Sequence, residues 1–335
     1  MEAGNLTGLL FALAFGFAPM FLFAALIYWT DRYEKEPKIL LGAVFLWGAF
    51  VSAGGAFVLN TVMGLGVFYF TGSEAAAELT TGSLIAPFVE EILKGFTVLV
   101  VFLVFRSEFD SILDGIVYAA VAALGFAATE NTYYIFTYGF QENGIAGAFF
   151  LTFVRVVLVG WQHPFYTAFT GIGLAFARLS RNVVAKLAYP LIGLTIAIFT
   201  HSVHNTISNL LQGIGGLAVT ALNDWVGWLI MVLFIIWALY REQSWIIAQL
   251  REEVTLGVIT ADQYRVACSA WAQSVARMGA LFSGRFAATN RFYQITAELA
   301  YKKHQSNLFG DEGGNALIIQ RLRAELGRLS PIAAT

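Results

Sequence analysis

The chain has 335 residues, 58% of them hydrophobic and only 13% charged, with a formal net charge of −2. A soluble domain carries about 25% charged residues, so an ordinary soluble globule is excluded, and without a basic excess there is no electrostatic footprint for nucleic acid. The single cysteine, Cys268, excludes an intrachain disulfide and a Cys-rich zinc site.

Apolar runs of about 20 residues or more mark an all-α polytopic membrane protein. Met1 to Leu6 carries only Glu2 and lacks the positive start of a signal peptide, and the run from Leu6 to Trp29 reads as a retained first span. Seven transmembrane helices are expected, at about residues 6–29, 39–68, 84–105, 112–136, 145–177, 187–206 and 217–240. The loops that follow spans 1, 3, 5 and 7 hold Arg32, Lys35 and Lys38, then Arg106, then Arg178, Arg181 and Lys186, then Arg241. The alternate loops carry Glu74, Glu78, Glu142 and Asp224 and no Lys or Arg. By the positive-inside rule the N-terminus is outside and the C-terminus inside, as in a multi-pass plasma-membrane protein. Two crossings within 145–177 would put Arg178, Arg181 and Lys186 outside, so one crossing, broken or kinked near Pro164, is expected. Arg155 in its outer half either snorkels or faces the bundle interior.

Six ionisable residues fall inside these spans: Glu90, Glu91, Glu130, His163, His201 and His204. Each costs roughly 2.5–3.5 kcal/mol on insertion scales, so a reactive site is the default reading. At about 1.5 Å per residue, the six groups lie about 21–27 Å above the cytoplasmic ends of spans 3, 4, 5 and 6. Antiparallel helices thus bring them to one slab, and a single polar pocket is expected between these four spans, reachable from outside or laterally.

In the segment Pro87-Phe-Val-Glu-Glu-Ile-Leu-Lys94, Lys94 stands four residues after Glu90 and three after Glu91, so it can pair with either. The unpaired carboxylate becomes a proton acceptor, while the bland alternative is an ion pair that fixes packing. Glu130 follows the small-residue stretch Ala119 to Ala128, which lets helices approach closely. His163 precedes Pro164, and Gly171 and Gly173 form a packing face. His201, His204 and Asn205 lie within one helical turn, where the two histidines can share an ion or His201 and Asn205 can donate to an oxyanion; His204 reads equally as a lining residue.

Residues 241–335 hold most of the Lys and Arg and are expected on the cytoplasmic face as a second, helical region after the membrane domain 1–240. Helical patterns run over 244–253, 260–280 with Thr260 as N-cap, 289–304 and 316–329, with a breaker-rich loop over 310–315. His304 reads as a surface residue, and a cytoplasmic partner for this region is left open.

Glu90-Glu91-x-x-Lys94, Phe126-x-x-x-Glu130, His163 and His201-x-x-x-Asn205, in that order on successive spans, resemble the PrsW family of intramembrane proteases, relatives of the CAAX-prenyl endopeptidases and bacterial immunity-type proteases. The acidic–basic loop Asp31-Arg-Tyr-Glu-Lys-Glu-Pro37 also resembles that family's signature, and the resemblance covers roughly residues 1–240. It implies hydrolysis of a peptide bond in a single-span, membrane-anchored substrate such as an anti-sigma factor. By the same resemblance Glu90 and Glu91 include the water-activating base, aided by Glu130. Glu130, His163 and His201 would bind a divalent metal such as Zn2+, or His163, His201 and Asn205 would hold an oxyanion, with Lys94 and His204 supporting. The competing classes are a proton-coupled transporter or channel, against which no inverted repeat of spans is evident, and a non-catalytic membrane scaffold.

Overall fold

The computed structural model describes residues 3–30 and 35–333; of the loop 31–37, residues 31–34 lie outside the described residues. It is all helical, with no strand among the described residues. The helices are α1 (Ala3–Thr30), α2 (Lys38–Leu46), α3 (Ala53–Thr71), α4 (Glu74–Thr80), α5 (Ala86–Val104), α6 (Ile112–Tyr134), α7 (Glu142–Thr152), α8 (Gln162–Leu179), α9 (Val183–Leu210), α10 (Gly213–Thr255), α11 (Ala261–Ala267), α12 (Ala270–Phe282), α13 (Phe286–Phe309) and α14 (Asn315–Leu329). Four π-helical stretches, Trp47–Ser52, Thr81–Ile85, Ile135–Gln141 and Phe153–Leu158, lie within the first ten.

Among the described residues, five helical runs are long and apolar enough to cross a membrane: Gly4–Trp29, Lys38–Thr71, Ile112–Leu179, Val183–Leu210 and Gly213–Thr255. The run 112–179 takes in the fourth and fifth expected spans. Helix α5, the expected third, falls outside this set because it carries Glu90, Glu91 and Lys94. The expected break near Pro164 lies earlier, at Val159 to Trp161, where Val159 leaves helical geometry (φ −126°, ψ 18°). Pro164 sits in the first turn of α8, where a missing N–H costs nothing because those donors have no intrahelical partner.

The chain divides into two compact units, one of residues 1–31 and 36–234, the other of residues 32–35 and 235–335. The first is built around α6, which is buried from Ile112 through Ala128. Its small residues make this possible. A Cβ on Gly125 would overlap the carbonyl oxygen of Phe45, one on Gly48 that of Ala122, and Gly115 and Gly171 meet carbonyl to Cα across α6 and α8. Gly173 meets Tyr189 and Gly193 in the same way. Glu36, from the loop before α2, is buried and accepts a hydrogen bond from Tyr118 of α6.

The second unit packs Ile246, Leu250, Phe292, Leu299, Leu322 and Leu326 into its own core. Glu253, fully buried, accepts from Lys303 at 2.7 Å and from both guanidinium arms of Arg323 at 2.7 Å. Thr260 caps α11 through a capping box with Gln263. The expected single helix over 260–280 is two, because Ser269 takes an extended conformation and caps α12 by accepting from the Ala272 N–H. The breaker loop holds Gly310, Gly313 and Gly314 at positive φ. His304 is not a free surface residue: it stacks on Trp245, ring centroids 4.0 Å apart, with the Arg241 guanidinium 5.2 Å from the same indole. An imidazole face laid on an indole leaves water on that side, which polarity alone does not predict.

Two outcomes follow from these contacts. Gly171→Ala should overpack α6 against α8, cost about 1–3 kcal/mol or more and lower the thermal midpoint in detergent. Gly42→Ala, with nothing within 4 Å of its Cβ position, should not. Burial, with help from the Arg241 charge, lowers the His304 pKa to about 4. The unfolded chain, at about 6.5, therefore takes up the proton first. The stacking contribution is whole above pH 6.5 and is lost as pH falls toward 4. Hydrogen exchange of α13 between pH 7 and 4 should show this slope, and His304→Phe should flatten it; equal slopes would refute the assignment.

Candidate functional site

Helix α5 starts under an unusual constraint. The Ala86 N–H bonds to Thr81 O in the π register, so the next donor up the ladder, for Gly82 O, would be residue 87. That residue is Pro87, which has no N–H. Gly82 O is instead satisfied by Asn205 Nδ2 of α9 at 2.8 Å. A buried carbonyl needs a donor, and this one ties α9 to the start of the helix that carries the two adjacent glutamates.

One turn further on, Glu90, Glu91 and Lys94 are all buried, Glu91 and Lys94 completely. Lys94 Nζ donates to Glu91 Oε1 at 2.6 Å and lies 3.8 Å from Glu90 Oε2. Glu91 also accepts from Thr167 Oγ1 at 2.8 Å and meets His201 Nδ1 at 2.9 Å. Glu90 Oε1 is 3.4 Å from Asn60 Nδ2, while Glu90 Oε2 is buried with no hydrogen-bond partner. On α6, Glu130 is paired with Arg155 and meets His163 Nε2 at 2.9 Å, and Arg155 Nε donates to Asn131 at 2.9 Å. Arg155 thus faces the interior, with its guanidinium 4.0 Å from the Tyr134 ring centroid.

Ionised carboxylates only accept hydrogen bonds. The histidine nitrogens that face Glu91 and Glu130 therefore carry the protons. This leaves two imidazole lone pairs, on His201 Nε2 and on His163 Nδ1. The former is 3.9 Å from Glu90 Oε2 and the latter accepts from Lys94 Nζ at 3.2 Å. The two rings are 5.2 Å apart and nearly perpendicular, and Tyr166 stacks on His201 at 4.8 Å. Glu90, His163 and His201 each present one donor atom, all within 4.8 Å of one another. Glu130, expected in the ligand set with the two histidines, is outside that group and engaged by Arg155.

His204 meets Asp224 at 2.9 Å, and Tyr166 OH is 3.4 Å from the same oxygen. Asp224 is therefore not a loop acid: it is 1% exposed and carried on α10. Sequence reasoning also passed over Asn60, Thr167 and Asn131 as site groups. The signals were present for two of them: Thr167 follows His163 by one helical turn and Asn131 adjoins Glu130. Beside the cluster lies a cavity of about 480 Å³, lined by Arg155, Gln162, His204, Asn205, Asn209 and Thr220 among others. Gln162 Oε1 is buried there without a partner.

A family model described as "PrsW family intramembrane metalloprotease" matches residues 36–238. The chain belongs to the PrsW family. Curated relatives named "Protease PrsW" agree. That of Bacillus subtilis (strain 168) is 26% identical over 223 residues, covering 66% of this chain and 88% of the relative. That of Clostridioides difficile (strain 630) is 32% identical over 178 residues, 53% of this chain and 70% of its own. That of Geobacillus kaustophilus (strain HTA426) is 28% identical over 190 residues, 57% and 76%. No solved structure matches this chain. The chain is thus a membrane peptidase, and neither a transporter nor a scaffold is favoured. The family's metal also fits the residues present: a buried carboxylate oxygen without a hydrogen-bond partner stands beside the free lone pair of His201, and His163, whose Nδ1 accepts from Lys94, completes a carboxylate and two-imidazole set suited to a divalent ion.

The Glu130–Arg155 pair can be tested apart from chemistry. Arg155→Met leaves a carboxylate without its cation and should cost about 3–5 kcal/mol, read as a lower thermal midpoint. The double variant Arg155→Met/Glu130→Gln should recover most of that midpoint. No recovery would mean that Arg155 acts through something other than Glu130.

Proposed function

We propose that the cluster on α5, α6, α8 and α9 hydrolyses a peptide bond of a single-span membrane-anchored protein, an anti-sigma factor or a similar regulator, on the outer side of the plasma membrane. The orientation rests on the loop charges, which put the N-terminus outside and residues 241–335 on the cytoplasmic side as a separate helical region. The observation that carries the reading is Glu90 Oε2, a buried carboxylate oxygen with no donor, 3.9 Å from His201 Nε2. That gap is too long for a direct hydrogen bond and suits one bridging atom.

Glu90, His163 and His201 would hold the divalent ion, which when bound supplies Lewis acidity and lowers the pKa of water. Everything else falls to side chains. Glu90, with two oxygens to divide between ligation and proton transfer, takes the proton of the attacking water. Glu91 holds His201 in one tautomer and Glu130 does the same for His163, the outer-shell arrangement that orients imidazole donors. Lys94 balances Glu91 and keeps His163 Nδ1 directed inward. Asn205 secures the start of α5 through Gly82 and presents its remaining polar atoms to the cavity, where the substrate's carbonyl would lie. Asp224, through His204 and Tyr166, supports His201 from behind.

Glu90→Gln and His201→Ala should each lower cleavage of single-span substrates in proteoliposomes by about a hundredfold or more, and Glu90→Gln should do so without lowering the thermal midpoint. Metal analysis of the purified variants should show loss of bound ion in Glu90→Ala, His163→Ala and His201→Ala and retention in Asn205→Ala. Wild-type cleavage rates in Glu90→Gln would remove the proposal. Full metal content in the two histidine variants would remove the ligand assignment alone.

A further inference from the structure

Helix α12 is amphipathic in the wrong sense for a protein surface. Trp271, Val275, Met278 and Phe282 are spaced i, i+4, i+7 and i+11, one stripe along a helix of 3.6 residues per turn. They are 78%, 47%, 57% and 93% exposed, and Leu281 beside them is 56% exposed. The opposite side of the same helix, Ala276 and Ala280, is what the second unit buries. Small residues face the core and large apolar ones face away from it. The stripe continues into Phe286, 40% exposed, at the start of α13.

The charge pattern around the stripe selects what covers it. From Gln263 to Ala297 the chain has four arginines, Arg265, Arg277, Arg285 and Arg291, and no Asp or Glu. Two of them are paired, Arg265 with Asp262 and Arg291 with Glu325. Arg285 is exposed just past the end of the stripe, whereas Arg277 is half-buried and donates to Gln273. An apolar face carrying tryptophan and phenylalanine, with no carboxylate along it and an exposed arginine at its end, matches the interface of an anionic leaflet: rings and aliphatic groups enter the acyl boundary and the Arg285 guanidinium meets the headgroups. The leaflet is within reach along the chain, since α10 contains a candidate span, expected to end at about residue 240, and 29 residues, 241–269, lie between that point and α12. The segment lies beyond residues 36–238, so it is not part of what defines the family.

We propose that α12 is an interfacial helix that lies in the headgroup region of an anionic membrane leaflet with Trp271, Val275, Met278 and Phe282 immersed. It gives the second unit a hold on the bilayer separate from the spans. Such a hold would keep the unit at the membrane surface.

Two measurements on the full chain test it. Wild-type protein in nanodiscs of phosphatidylglycerol and phosphatidylcholine, carrying a photoreactive diazirine at the upper acyl carbons, should be labelled within residues 271–286. Pure phosphatidylcholine should lower that labelling by about fivefold or more. In a Cys268→Ser background, spin labels at Val275→Cys and Met278→Cys should collide more with oxygen than with a water-soluble nickel chelate. A label at Gln320→Cys, on the exposed side of α14, should do the reverse. Absence of photolabel, or labelling indifferent to lipid charge, overturns the proposal. So do labels shielded from both quenchers, the signature of a stripe covered by a second copy or by other protein. Because the photolabelling uses the unaltered chain, a misfolded cysteine variant cannot mask the result.

Discussion

The ammonium of Lys94 is the interaction on which the rest of the site depends. It is fully buried, 2.6 Å from Glu91, 3.2 Å from His163 and 4.4 Å from the Phe126 ring centroid. A buried ion of either sign is expensive and persists only when paired and hydrogen-bonded. Lys94 and Glu91 satisfy that condition for each other, as Arg155 and Glu130 do on the far side of His163. Three carboxylates thus face two cations, and the least engaged is Glu90, whose Oε2 has no hydrogen-bond donor and only Lys94 Nζ at 3.8 Å. A low-dielectric pocket does not tolerate such an imbalance. A proton or a metal ion can complete it, which is what the role proposed for Glu90 requires.

The second constraint is covalent. Pro87 cannot donate to Gly82, and Asn205 supplies the missing hydrogen bond from another helix. Asn205 lies one turn beyond His201, so the bond that repairs the helix start also sets the height of His201 against Glu91. The histidine and the glutamates therefore share one register: moving α9 along α5 would break the carbonyl contact and the Glu91–His201 contact together. This accounts for a proline three residues before the acidic pair, and gives the asparagine four residues after the histidine a structural role beside any contact with substrate.

Much of this was legible from the chain alone, for physical reasons. Ionisable residues in apolar helices are costly, so they identify themselves, and a fixed rise per residue converts their positions to depths that agree. Small residues at Ala119 to Ala128 report close helix contact because only a missing side chain allows it, and Gly125 against Phe45 shows how close. What stayed hidden depended on direction. Arg155 could snorkel or turn inward, and only the position of Glu130 decides. Asp224 looked like a loop charge because composition does not say that its side chain reaches His204. His304 looked exposed because no local pattern announces a stack on Trp245, 59 residues away in sequence. Even the choice between Glu90 and Glu91 was open, since Lys94 is within reach of both. The Thr167 and His201 contacts to Glu91 settle which carboxylate is occupied.

A peptide bond inside a membrane is protected by its helix, because every N–H and C=O there is already satisfied. Hydrolysis requires that a few residues be unwound, and the freed groups need partners or the unwound state costs several kcal/mol per group. In the proposed function the cavity beside the cluster would meet this need. Its wall carries the carboxamides of Gln162, Asn205 and Asn209 and the hydroxyl of Thr220. Gln162 Oε1 is a buried acceptor with nothing to accept, in the residue adjoining His163. In the proposed function, an extended strand of substrate would find donors and acceptors along that wall. On this reading the polar wall would lower the cost of exposing the bond and the charged cluster would activate the water that attacks it, and specificity would lie in how readily a substrate's helix opens as much as in its side chains.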